Sequence, residues 1–129
     1  MNTTDPTTLI EGLRNWAAGM APDRAAVELL IEHDSWLRRG DFLKRCVETF
    51  PTEDLPDPNR PVSRIDWEEV GLALEEYAFP ASSSAVGILR IAASIGSSRA
   101  TVNLRDALVG LDSTNSAAVV RAVTTTTQH

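Results

Sequence analysis

Ala85-Val86-Gly87-Ile88-Leu89-Arg90-Ile91-Ala92-Ala93-Ser94-Ile95 is the stretch on which the reading of this chain turns. Nearly every position is apolar or small, and only Gly87, Arg90 and Ser94 mark a narrow polar strip. A helix that is apolar nearly all round belongs at the centre of a fold. The stretch is well short of the roughly 20 residues that span a bilayer, so it predicts a core helix and no membrane segment. Pro80 and the run Ser82-Ser83-Ser84 break the chain before it and offer the N-cap.

Working outward, the remaining apolar residues fall into helical stripes that can cover this centre. Leu9, Leu13, Trp16, Ala17 and Met20 recur at three- and four-residue spacing and predict a first helix. It starts either at Asp5-Pro6 or, through a capping box, at Thr8 and Glu11. Pro22 suits the first turn of a second helix running to about Arg39 and closed by Gly40. At 100° per residue Ala26, Leu29, Leu30, His33, Trp36 and Leu37 share one of its faces, with Glu28, Glu32, Ser35 and Arg39 opposite. Asp41 caps a short third helix through Phe42, Leu43, Cys46 and Val47, broken at Phe50-Pro51.

Pro51, Pro56, Pro58 and Pro61, interleaved with Glu53, Asp54 and Asp57, predict an acidic loop over residues 51–61. Asp66 and Glu69 form another capping box, and Trp67, Val70, Ala73, Leu74 and Tyr77 line one side of the helix that follows. Its other side carries Glu68, Glu69, Glu75 and Glu76 around Leu72. Past the central stretch, Leu104, Leu108 and Leu111 predict a short helix ended near Gly110. Asp112 or Ser113 then caps a last helix carrying Val119, Val120 and Val123. A polar tail occupies residues 124–129, and Val62 to Ile65 and Ala100 to Val102 are at most short extended pieces. The expectation is an all-α fold, a compact bundle of five or six short helices forming one domain over residues 1–129.

Composition narrows the function. Hydrophobic residues make up 43% and charged residues 23% of 129, the balance of an ordinary folded domain. Met1 to Thr8 lacks the basic start and apolar run of a secretory signal, so a cytoplasmic location is expected. Cys46 is the sole cysteine, which leaves no intrachain disulfide and no thiolate-rich metal site; its apolar neighbours mark it as a small buried hydrophobe. The net charge of −6 is concentrated in residues 48–76, which carry nine acids against Arg60 and Arg64. That layout disfavours broad binding to a phosphate backbone and favours a partner protein with a basic surface. Eleven of the twelve cations are Arg, a trace of GC-rich coding.

Arg90-Ile91-Ala92-Ala93-Ser94 and the run Val102-Asn103-Leu104-Arg105-Asp106-Ala107-Leu108-Val109-Gly110-Leu111-Asp112-Ser113-Thr114-Asn115 resemble the C-terminal half of a group of small actinobacterial proteins, some of them carried on mobile elements. The resemblance implies origin and compactness, and brings no activity or site residue with it.

Candidate chemistry is sparse. His33 has Glu32 and Asp34 beside it and Glu28 about a turn earlier, the raw material of a metal-dependent site, but sequence neighbours point to different sides of a helix. A packed, hydrogen-bonded histidine is the expected reading. The pairs Glu53-Asp54, Glu68-Glu69 and Glu75-Glu76 read as a solvated acidic face, since general acid–base work needs one carboxylate buried and one ionised across a cleft. Ser82 to Ser84 lacks a Gly-x-Ser-x-Gly elbow, and Gly87, Gly96 and Gly110 build no phosphate loop. No enzyme and no cofactor is therefore expected. Arg90, Arg99, Arg105 and Arg121 support a runner-up reading as a small DNA-associated regulator. The favoured reading is a non-enzymatic interaction or regulatory domain, with a phage or mobile-element setting, that binds its partner through Glu68, Glu69, Leu72, Glu75 and Glu76. The competing expectation has Leu72 and Phe79 packed under the Pro-rich loop. Homo-oligomerisation through Trp16, Trp36 and Trp67 is also open.

Overall fold

A computed structural model describes residues 5–97 and 103–127 of the chain. Seven helices and one two-stranded sheet are found among them: α1 (Pro6–Ala17), α2 (Ala21–His33), α3 (Gly40–Cys46), β1 (Val47–Thr49), β2 (Ser63–Ile65), α4 (Trp67–Glu75), α5 (Ser83–Gly96), α6 (Leu104–Val109) and α7 (Ser113–Thr126). The fold is thus mostly helical but not purely all-α. The expected extended piece at Ala100 to Val102, Arg99, and the last two residues of the tail lie outside the described residues.

The central stretch forms α5, with Ser82 Oγ accepting from Ala85 N at its start. Ile88, Leu89, Ile91, Ala92 and Ala93 are buried. It packs on α2, which in turn packs on α7, so α2 lies between two helices and loses Ala25, Ala26, Val27, Leu29 and Leu30 to the interior. One hydrophobic cluster runs through Leu13, Leu30, Trp36, Phe42, Val70, Ile88 and Val119.

Gly87 does not belong to a polar strip. It is buried, and a Cβ there would lie 2.6 Å from the carbonyl oxygen of Ala107, so its missing side chain is what lets α6 close on α5.

Helix α1 begins at Pro6 rather than at the Thr8 capping box: Asp5 holds the cap position without a side-chain bond, and proline's fixed φ supplies the first turn. The helix ends at Ala17, so Met20 falls beyond its stripe and stands 59% exposed.

The second expected helix is cut in two. It stops at His33, where Asp34 takes φ 76°, and Ser35 N donates back to His33 O at 3.0 Å, a strained γ-turn. A 3-10 turn over Trp36–Arg38 follows, and Gly40 opens α3 instead of closing α2. The apolar stripe hid this break, because Trp36 and Leu37 are buried on either geometry. The turn swings Trp36 into an aromatic cluster with Phe42 at 5.6 Å and Phe79 at 5.8 Å between ring centroids. The Arg39 guanidinium lies 4.9 Å from the Trp36 ring centroid, donates to Pro80 O and is held by Asp41. Asp41 therefore does not cap α3 in the expected manner; it accepts from Phe42 N and from Arg39, which lowers its carboxyl pKa.

The short extended piece expected at Val62 to Ile65 is strand β2, and the strand it pairs with, β1, is the element the helical reading missed. Val47 leaves α3 and pairs with Ile65, Glu48 with Arg64, and Thr49 with Ser63, antiparallel. Val47 was expected inside the third helix, but a β-branched residue beside Glu48 and Thr49 pairs well on a pleated surface. Ser63 is buried beneath α1, where a Cβ on Gly12 would come within 2.9 Å of its backbone nitrogen. Residues 51–61 form the expected loop, with one 3-10 turn at Thr52–Asp54. Cys46 is buried, and desolvation pushes its thiol up to about 12, so it stays protonated at neutral pH. Among the described residues no helix is long and apolar enough to cross a membrane.

Two glycines in helices should respond oppositely to the same change. Gly87→Ala meets a backbone carbonyl that cannot rotate away, and should cost roughly 1–3 kcal/mol in urea unfolding. Gly71→Ala in α4 meets nothing within 4 Å and should add about 0.5–1 kcal/mol through helix propensity. Equal effects at the two sites would contradict the α5–α6 contact.

Candidate functional site

Helix α4 is fixed at its start by Asp66 Oδ1, which accepts from Glu69 N at 3.1 Å, the capping expected from sequence. Trp67, Val70 and Ala73 face inward and are buried. The opposite side therefore faces water, with Glu68, Leu72, Glu75 and Glu76 exposed and Glu69 half-buried. Leu72 is 49% exposed and does not pack under the Pro-rich loop, while Phe79 sits in the aromatic cluster instead.

The four acids are not equivalent. Arg45, projecting from α3, donates to Glu69 Oε1 at 2.8 Å and grips both oxygens of Glu76 at 3.2 Å. Both carboxylates raise the guanidinium pKa, Glu76 the more. This pair of ion pairs ties α3 to α4 and neutralises part of the rim from within. Glu75 is exposed, and Arg45 binds its neighbours Glu69 and Glu76 rather than Glu75.

The end of α4 is the least ordinary piece of backbone in the region. Ala78 N donates to Ala73 O and Tyr77 N to Leu74 O, the paired bonds of a Schellman motif. Its left-handed position, which glycine usually fills, is Tyr77 with φ 54°. Left-handed backbone costs an L-residue roughly 1–2 kcal/mol. The cost holds a tyrosine at 84% exposure just past Glu75 and Glu76 in the chain, not against the core as its spacing had led us to expect. Strain kept at an exposed aromatic points to use of the side chain. The signal was present in the sequence only as Tyr77 standing where Gly would close a helix.

The other candidates are dispersed. Glu28 is taken by Arg14 at 2.8 Å and Glu32 by Arg121, so neither turns toward His33. No group of three His, Cys, Asp or Glu able to hold a metal occurs among the described residues. His33 instead bonds through Nδ1 to Asn115 Oδ1 at 2.9 Å and through Nε2 to Ser35 Oγ at 2.8 Å. Of the four C-terminal arginines, Arg90 is half-buried on α5, Arg105 is exposed on α6, and Arg121 is engaged with Glu32 on α2. An open groove of about 370 Å³ runs between the two ion pairs, floored by Ala25, Leu29, Ala118 and Ala122. Leu104, Leu108 and Val109 on α6 and Val120 and Val123 on α7 are also exposed, which escaped the sequence reading because Ala107, Ala118 and Ala122 fill the buried positions instead.

No protein-family model, curated protein or solved structure matches this chain.

Tyr77→Gly should raise stability by about 0.5–1 kcal/mol, seen as a higher urea midpoint with an unchanged slope, because glycine meets no Cβ penalty at this φ. A loss of stability would mean that the tyrosine ring contributes to packing.

Proposed function

We propose that the chain is a protein-interaction or regulatory domain that docks a partner on the outer face of α4 and its closing turn. The observation that carries this reading is Tyr77, an exposed aromatic held at positive φ just past the end of α4, the helix that carries the exposed Leu72 and Glu75. Two apolar side chains of this size offer an anchor for an apolar residue of the partner. The acids around them choose a basic surface and speed its approach. Glu69 and Glu76, bound to Arg45, hold the face in place more than they contact the partner. The partner-facing set is therefore Glu68, Leu72, Glu75 and Tyr77, a revision of the set expected from sequence.

Binding to DNA through the C-terminal arginines is less well supported, since Arg121 is already engaged by Glu32. The reading gives α4 a role in binding, and no catalytic step enters it.

The test compares proteins recovered from a lysate of the source cells by the wild-type chain and by Leu72→Ala/Glu75→Lys/Tyr77→Gly. None of these side chains holds the fold together, so circular dichroism should match the wild type. A partner recovered by the wild type should fall at least tenfold with the triple variant, and its capture should weaken as salt rises through about 0.5 M. Undiminished recovery of every partner would overturn the assignment of this face.

A further inference from the structure

The γ-turn at Asp34 brings together side chains that do not belong to α4's outer face. It folds Ser35 back so that its exposed hydroxyl lies 2.8 Å from His33 Nε2, while His33 Nδ1 lies 2.9 Å from Asn115 Oδ1, a residue 82 positions away. The direction of these bonds is fixed by Asn115, which is 8% exposed at the start of α7. Asp112 Oδ2 sits 3.3 Å from Asn115 Nδ2, and an ionised carboxylate can only accept, so this side of the amide must be the nitrogen. Ser84 Oγ takes the second Nδ2 proton at 2.8 Å. The amide oxygen therefore faces His33. An oxygen there requires Nδ1 to donate, which leaves the lone pair of the neutral imidazole on Nε2 and makes the Ser35 hydroxyl the donor to it. Hydroxyl, imidazole and amide form one polarised chain, and Asp112 and Ser84 hold its far end still.

We propose that Ser35 is an activated nucleophile, with His33 as its base and Asn115 as the residue that fixes the imidazole, and that it takes the acyl group of a small carboxylic ester or thioester. Ser35 Oγ attacks the acyl carbon as its proton passes to His33 Nε2. The tetrahedral adduct collapses by breaking the bond to the alcohol or thiol, and the imidazolium returns the proton to that leaving group. Water then attacks the acyl-serine, giving its proton to His33 and releasing the acid, and Ser35 regains its proton. No oxidant, metal or cofactor enters the balance. Because Ser35 is exposed, an acyl group that is small or presented by a partner can reach it from solvent. Sequence reading placed Ser35 on the helix face opposite His33; the pairing is visible only after the γ-turn and the packing of α7 on α2 are known.

The test uses the full chain and a fluorophosphonate probe, which phosphonylates activated serines, with the labelled residues mapped by mass spectrometry. Ser116 and Ser83, exposed in the same chain, serve as internal references. Ser35 should label at least about a hundredfold faster than either, the usual scale of general-base assistance. Ser35→Ala, a surface change that leaves the fold intact, should abolish the fast label, and His33→Gln should slow it at least tenfold. Labelling of Ser35 at the rate of Ser116, or a fast label that persists at Ser35 in a folded His33→Gln chain, would overturn the proposal. The Leu72/Glu75/Tyr77 variant should label at the wild-type rate, so failure here and failure of the docking face are distinguishable.

Discussion

The fold hangs on the burial of Trp36. Its indole N–H donates to Ala85 O at 2.8 Å, its rings meet Phe42 and Phe79, and Arg39 lies over its face and reaches Pro80 O. One side chain thus ties the turn after α2 to the first turn of α5, to α3 and to the segment leading out of α4. A buried indole with a satisfied N–H is worth several kcal/mol, and truncation to alanine typically costs 3–5 kcal/mol. The strain of the γ-turn at Asp34 is held in place by the contacts of Trp36 that follow it.

The same turn connects fold to chemistry. Ending α2 at His33 places its imidazole over the start of α7, where Asn115 is already oriented by Asp112, and brings Ser35 within reach. A second residue at positive φ, Tyr77, ends α4 and holds an aromatic ring in water. Both non-glycine residues at positive φ among the described residues thus sit at helix ends where a polar or aromatic group is being aimed, and both proposed activities rest on them. The acidity of residues 48–76 is also more structured than a solvated face, because Arg45 draws Glu69 and Glu76 inward and Arg64 pairs with Glu48 across the sheet at 2.7 Å.

Much of this was legible in the sequence where local rules decide. The caps at Asp66, Ser82 and Asp112, the loop over residues 51–61 and the central place of Ile88 and Ile91 follow from side chains acting on their own neighbourhood. What could not be read is set by contacts distant along the chain. The apolar stripe through Trp36 is compatible with one helix or with a helix and a turn, and only Ala85 and Phe79 choose between them. Val47 to Thr49 is too short to announce a strand until Ser63 to Ile65 pairs with it. The acidic face was found on α4, but its division into acids bound by Arg45 and an outward Glu75 needed α3, and Tyr77 was misplaced because periodicity continued past the point where the helix stops.

The central claim is that Trp36, by fixing the end of α2 on α5, makes α2, α5 and the α7 that packs on α2 unfold as one unit. Native-state hydrogen exchange on the wild type and Trp36→Phe tests it most directly, since phenylalanine keeps an aromatic ring and loses the bond to Ala85 O. The account predicts that amides of Leu30, Leu89 and Val119 lose protection together, by roughly 1–3 kcal/mol. Loss confined to residues 34–46, with Leu89 and Val119 as protected as before, would contradict it.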